Sequence, residues 1–115
     1  MARHLLTSHG ADFFGEDRHP FPLVTGLADY VEGVLPYDER GPVVGLLKHA
    51  AAEGAEFTPD QATALGDALM KVARHRFTTP KVAAVARLLA DAAARAAADG
   101  EMWTWTLTDE SAAVA

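Results

Sequence analysis

The sequence predicts a mostly α domain: a compact bundle of about four helices closed by a short two-stranded β ribbon formed by the N- and C-terminal segments. Three observations carry this. Thr58-Pro59 and Thr79-Pro80 are repeated helix starts, each a threonine that can cap followed by a proline at the first helical position, where its missing N–H costs nothing. Behind each start, apolar residues recur at steps of three and four, the period of one helix face. Met102 to Leu107 alternates instead, with Trp103, Trp105 and Leu107 on one side and Met102, Thr104 and Thr106 on the other, which is the period of a strand.

Taken in order, His4 to Thr7 is a short run that suits a strand, and it is the only partner within the chain that the C-terminal strand can find. Residues 8–22, SHGADFFGEDRHPFP, read as an ordered loop, because Phe13, Phe14 and Phe21 give it something to bury. Leu23, Leu27, Tyr30, Val31 and Val34 make a helical face over 22–35 that stops before Pro36. A turn, YDERGP, leads to a helix over 42–53 with Val43, Leu46, Leu47 and Ala50 inward and Gly54 as its terminator. Phe57 stands where a hydrophobic staple belongs, before a capping box of Thr58 and Gln61.

In the helix over 59–76, Ala62, Leu65, Leu69 and Val72 point inward, and Asp67, Lys71 and Arg74 point to water. Arg76 falls on the apolar side, where a guanidinium usually meets a carboxylate, so an internal ion pair is expected there. The helix over 80–98 buries Val82, Val85, Leu89, Ala92 and Ala96 and ends at Gly100. Its alanines from 92 to 98 project little and let a neighbouring backbone approach.

The chain of 115 residues suits one domain over 1–108, followed by an acidic tail at 109–115. With no cysteine it has no disulfide, no thiolate zinc site and no cysteine nucleophile. It contains no apolar run of the ~18–20 residues that a span needs, and its N-terminus lacks the order of a signal peptide. The expectation is a soluble cytoplasmic protein without membrane contact. The net charge of −6 argues against general nucleic-acid affinity. The charge is uneven, however. Residues 1–57 hold four basic and nine acidic side chains, residues 58–98 six and three, and residues 99–115 none and four, so a basic helical pair lies between acidic flanks. Flanks that fold over the pair and neutralise it are the expected arrangement, and a partner surface is the alternative.

Three groups of residues invite a functional reading. His4, His9, Asp12, Glu16, Asp17 and His19 are ligand types of zinc, manganese and iron sites, yet their spacing matches no helical metal motif, and such histidines more often bond nearby backbone. No metal and no cofactor is therefore assigned. Arg74, His75, Arg76 and Lys81 lie where two helices meet, which suggests a helix-turn-helix that binds DNA through Arg74, Arg76, Lys81 and Arg87. Against it, the turn lacks the usual glycine and only Lys81 donates strongly from the first turn of the second helix, while cations at a helix end are explained by the macrodipole. Trp103 and Trp105 either close the core or, exposed beside the terminus on an edge strand, anchor a partner together with Arg74 and Arg76. An edge strand also offers a route to a homodimer.

Arg87, Asp91 and Arg95 form an exposed ladder without assigned function. No G-x-S-x-G, P-loop or G-x-G-x-x-G occurs. Three stretches, SHGADFFG, TPDQATALGDALMKVARHR and AARAAADGEMWTW, resemble a family of small uncharacterised proteins of high-GC bacteria. The resemblance spans residues 8–107 and implies a domain of unknown function, with no catalytic or binding residue carried over. The functional expectation is a non-enzymatic protein-binding module: a regulator, inhibitor or immunity-type protein. A DNA-binding regulator is second, and a metal-dependent activity in the N-terminal His/Asp loop is third.

Overall fold

A computed structural model describes residues 3–10 and 15–109. Asp12, Phe13, Phe14 and the tail from 110 onward lie outside the described residues. The helices are α1 (Phe21–Thr25), α2 (Leu27–Val34), α3 (Tyr37–Glu53), α4 (Pro59–Arg74) and α5 (Pro80–Asp99). The strands are β1 (Arg3–Ser8), β2 (Glu16–Pro20), β3 (Ala55–Phe57) and β4 (Trp103–Asp109), joined in one antiparallel sheet of order β2-β1-β4-β3. The fold is thus mixed α and β, a helical layer on a four-stranded sheet, and the two-stranded ribbon is only its centre.

That centre has the anticipated partners. β1 and β4 pair with Leu5 opposite Leu107 and Thr7 opposite Trp105. β2 and β3 are the additions, and neither has an alternating apolar pattern: β2 is EDRHP and β3 is three residues long. They are strands because neighbours supply the hydrogen bonds, with Leu5 opposite His19 and Phe57 opposite Trp103. β2 and β3 are therefore the edges. β4 lies between β1 and β3, paired with β3 over Trp103–Trp105 and with β1 over Trp105–Asp109, so it is not an edge strand of the sheet, contrary to expectation. The charges and Pro20 of β2 and the brevity of β3 are common protections against strand addition.

The caps hold the helices as their residues predict. Thr58 Oγ1 accepts from the Gln61 N–H at 3.2 Å, and Gln61 Oε1 accepts from the Thr58 N–H at 3.0 Å. Thr79 Oγ1 accepts from the Val82 N–H at 3.5 Å, and Gly100 closes α5 in the left-handed conformation. Three boundaries differ. The 22–35 helix is interrupted at Gly26. α3 starts five residues early, at Tyr37 after Pro36. α4 stops at Arg74.

One core joins the layers. α4 and α5 lie antiparallel along their length, and a Cβ added at Gly66 would sit 3.2 Å from Ala93 Cβ, the close approach that the alanine stripe permits. On the sheet's inner face Trp103, Trp105 and Phe57 pack ring against ring, with centroids 5.4 to 5.7 Å apart. Phe57 thus serves the sheet rather than a staple.

Candidate functional site

The α4–α5 junction is built by a helix that ends two residues sooner than its apolar period suggests. His75 turns extended, with φ −75° and ψ 131°. Its Nδ1 accepts from the Phe77 N–H at 3.3 Å, and its carbonyl accepts from the Thr78 N–H at 3.1 Å. Residues 76 and 77 are consequently pushed outward. Arg76 is exposed, with its guanidinium 4.8 Å from the centre of the Phe77 ring, and the expected internal ion pair is corrected: beyond Arg74 there is no helix to aim Arg76 at the core.

Phe77 is 74% exposed, the most exposed large apolar side chain among the described residues. Its ring also rests 5.6 Å from that of His75. Beside it a groove of about 280 Å³ is lined by Asp29, Tyr30, Gly33 and Val34 of α2 and by His75, Phe77 and Thr78 of the turn. The wall is mostly apolar, and Thr78 Oγ1 is buried without a hydrogen-bond partner. Small-molecule sites usually hold ~300–1,000 Å³, so this space suits one inserted side chain better than a whole ligand. A lone exposed phenylalanine means little, but one at the rim of an apolar groove is a different matter.

Arg74, Arg76, Lys81 and Arg87 are all exposed, and among the described residues none has a carboxylate partner. Among the described residues these four cations are thus not neutralised by the acidic flanks, contrary to expectation. α4 and α5 face each other from Ala62 and Ala97 to Met70 and Ala90, the lengthwise packing of an αα-hairpin, whereas the helix-turn-helix motif joins its helices at a steep angle.

Trp103 and Trp105 are 0% and 2% exposed. They belong to the core, and a partner meets neither indole directly. Trp103 Nε1 donates to the Ser8 carbonyl at 3.1 Å, while Trp105 Nε1 is buried without a partner.

Among its described residues the N-terminal polar cluster is divided between the two faces of the sheet. β2 alternates, sending Glu16 to the outer face of the sheet, where His4 also lies, and Asp17 and His19 to the inner one. His9 leaves the group altogether and meets Glu101 at 3.2 Å. His19 is 2% exposed, and desolvation lowers its pKa below 6.5 against the opposing charge of Asp17. The unfolded chain therefore takes up this proton before the native state does, so stability falls as pH drops below about 6.5. Urea melts from pH 7.5 to 5 should show the decline, and His19→Gln should flatten it. An identical pH dependence in the variant would contradict the assignment.

Phe77 and the α2 wall of the groove are missing from the candidate site residues that the sequence marks. Only one sign was available: a phenylalanine in a polar turn between two capped helices. No curated protein and no solved structure matches the chain. A family model does match, over residues 10–106, and the chain belongs to that family, Domain of unknown function (DUF7739).

Proposed function

We propose that the protein is a non-enzymatic protein-binding module that docks an acidic partner segment on the α4–α5 turn. The observation that carries this is Phe77, exposed at the lip of an apolar groove with Arg76 against its ring and with the neighbouring Arg74 and Lys81 lacking anionic partners among the described residues. Aromatic and arginine side chains dominate interface energetics, and an aromatic beside a recess that accepts a partner's side chain is the usual form of an anchor. Unpaired cations around it select an anionic partner by steering and by charge complementarity.

The test compares binding with stability. Phe77→Ala and Arg76→Glu should each weaken capture of the partner at least about tenfold, a loss of ~1.4 kcal/mol or more, while the melting temperature stays within a degree or two of the parent. Trp103→Ala, by contrast, should lose binding only by unfolding. If random duplex DNA is bound with a steep salt dependence that Arg74→Ala and Lys81→Ala reduce, the partner is nucleic acid and the proposal fails.

A further inference from the structure

At the other end of α5, about 30 Å from the turn by the rise of a 20-residue helix, three ligand-bearing side chains meet, one of them far in sequence from the other two. His9 follows β1, Asp99 is the last residue of α5, and Glu101 opens the connection to β4. One donor atom from each lies within 4.8 Å of the others. We infer that His9, Asp99 and Glu101 form a binding site for a divalent first-row transition ion, of which zinc is the prime candidate.

The geometry suits such an ion. Zinc bonds of about 2.0–2.2 Å to nitrogen and oxygen put neighbouring ligand atoms of a tetrahedral ion roughly 3.4 Å apart. His9 Nε2 already stands 3.2 Å from Glu101 Oε1, so closing the set requires rotamer-scale movement of two exposed carboxylates. The imidazole is held from behind. His9 Nδ1 lies 2.9 Å from Ser8 Oγ, which also accepts from the Thr104 N–H at 2.9 Å. In the ion-bound form the proton would sit on Nδ1 and be donated to the serine, which leaves the Nε2 lone pair to the ion. That is the tautomer and support a ligating histidine needs. The Arg95 Nε–H donates to the His9 carbonyl at 2.6 Å, fixing the backbone from which the ring projects.

Electrostatics point the same way. Asp99 and Glu101 place two negative charges at the negative end of the α5 dipole, with no basic residue in the last turn. Asp99 has no ion pair among the described residues. For stability alone the arrangement is unfavourable, and a dication removes the conflict. One imidazole with two carboxylates selects zinc, manganese or a neighbouring ion over calcium and magnesium, which take oxygen alone. Three protein donors leave a fourth position to water or to another molecule. The ion would fasten the turn after β1 to the α5–β4 connection.

The test uses the full chain without a histidine tag, titrated with Zn2+ alone and then with Co2+ alone. The wild type should bind one equivalent, show visible Co2+ absorption bands and melt at a higher temperature with Zn2+, reversibly by EDTA. Glu101→Gln retains a hydrogen-bond acceptor for His9 and should melt like the wild type without metal, yet lose the absorption bands and the thermal shift, as should Asp99→Asn. His49→Ala should keep both, although His49 and Glu53 make a second, two-residue pair at 3.5 Å. A thermal shift equal in Glu101→Gln and wild type, a loss that follows His49→Ala, or no Co2+ bands would each overturn the site.

Discussion

Trp103→Ala is expected to cost about 3–5 kcal/mol, the range for removing a buried large aromatic. Domains of this kind are stable by only ~5–15 kcal/mol, so the variant should be partly unfolded at 37 °C. Trp103 is fully buried, its ring contacts Phe57 and Trp105, and its N–H serves the Ser8 carbonyl. Truncation therefore opens a cavity where β3, β4 and the end of β1 meet and removes one partner of a hydrogen bond. Urea denaturation measures this. A loss within the ~0.5 kcal/mol typical of surface changes would take Trp103 out of the core.

Gly54→Ala should be comparably severe for a different reason. Gly54 has φ 76° and ψ 171°, a region open essentially to glycine alone, which costs other residues ~1–3 kcal/mol. A Cβ there would also stand 2.8 Å from the Trp105 carbonyl oxygen, which is backbone and cannot swing away. The two penalties act together, and about 3 kcal/mol or more is expected. The glycine's N–H bonds the Ala50 carbonyl at 2.8 Å, and the residue turns the chain from α3 straight into β3. Amide exchange should accordingly rise first along β3 and its partner residues Trp103–Trp105. Gly100 is the internal control: it has φ 68° but nothing within 4 Å of an added Cβ, so Gly100→Ala should cost only the left-handed strain of ~1–2 kcal/mol. Equal costs at the two positions would refute the close approach at Gly54.

These contrasts show which parts of the fold are legible in the residues. Capped helices and the MWTWTL strand are local structures, and Thr58, Gln61, Thr79, Pro80 and Gly100 announce their own backbone roles. β2 and β3 are not local. EDRHP carries no apolar alternation, and it is a strand only because β1 lies beside it. The apolar period of α4 runs two residues past the helix and places Arg76 inside, since the His75 ring and carbonyl that close the turn leave no periodic sign. Both sites proposed here are longer-range still. The groove needs α2 against the α4–α5 turn, and the His9, Asp99 and Glu101 set joins residues some 90 positions apart.

The measurement closest to the central claim is photo-crosslinking in cells with a photoreactive phenylalanine analogue placed at Phe77, and at Thr106 on the outer face of the sheet as the reference. The α4–α5 docking account predicts a discrete protein adduct from position 77 that Arg76→Glu abolishes, with none from position 106. An adduct from position 106 alone, or an adduct from position 77 that is indifferent to Arg76→Glu, would contradict it.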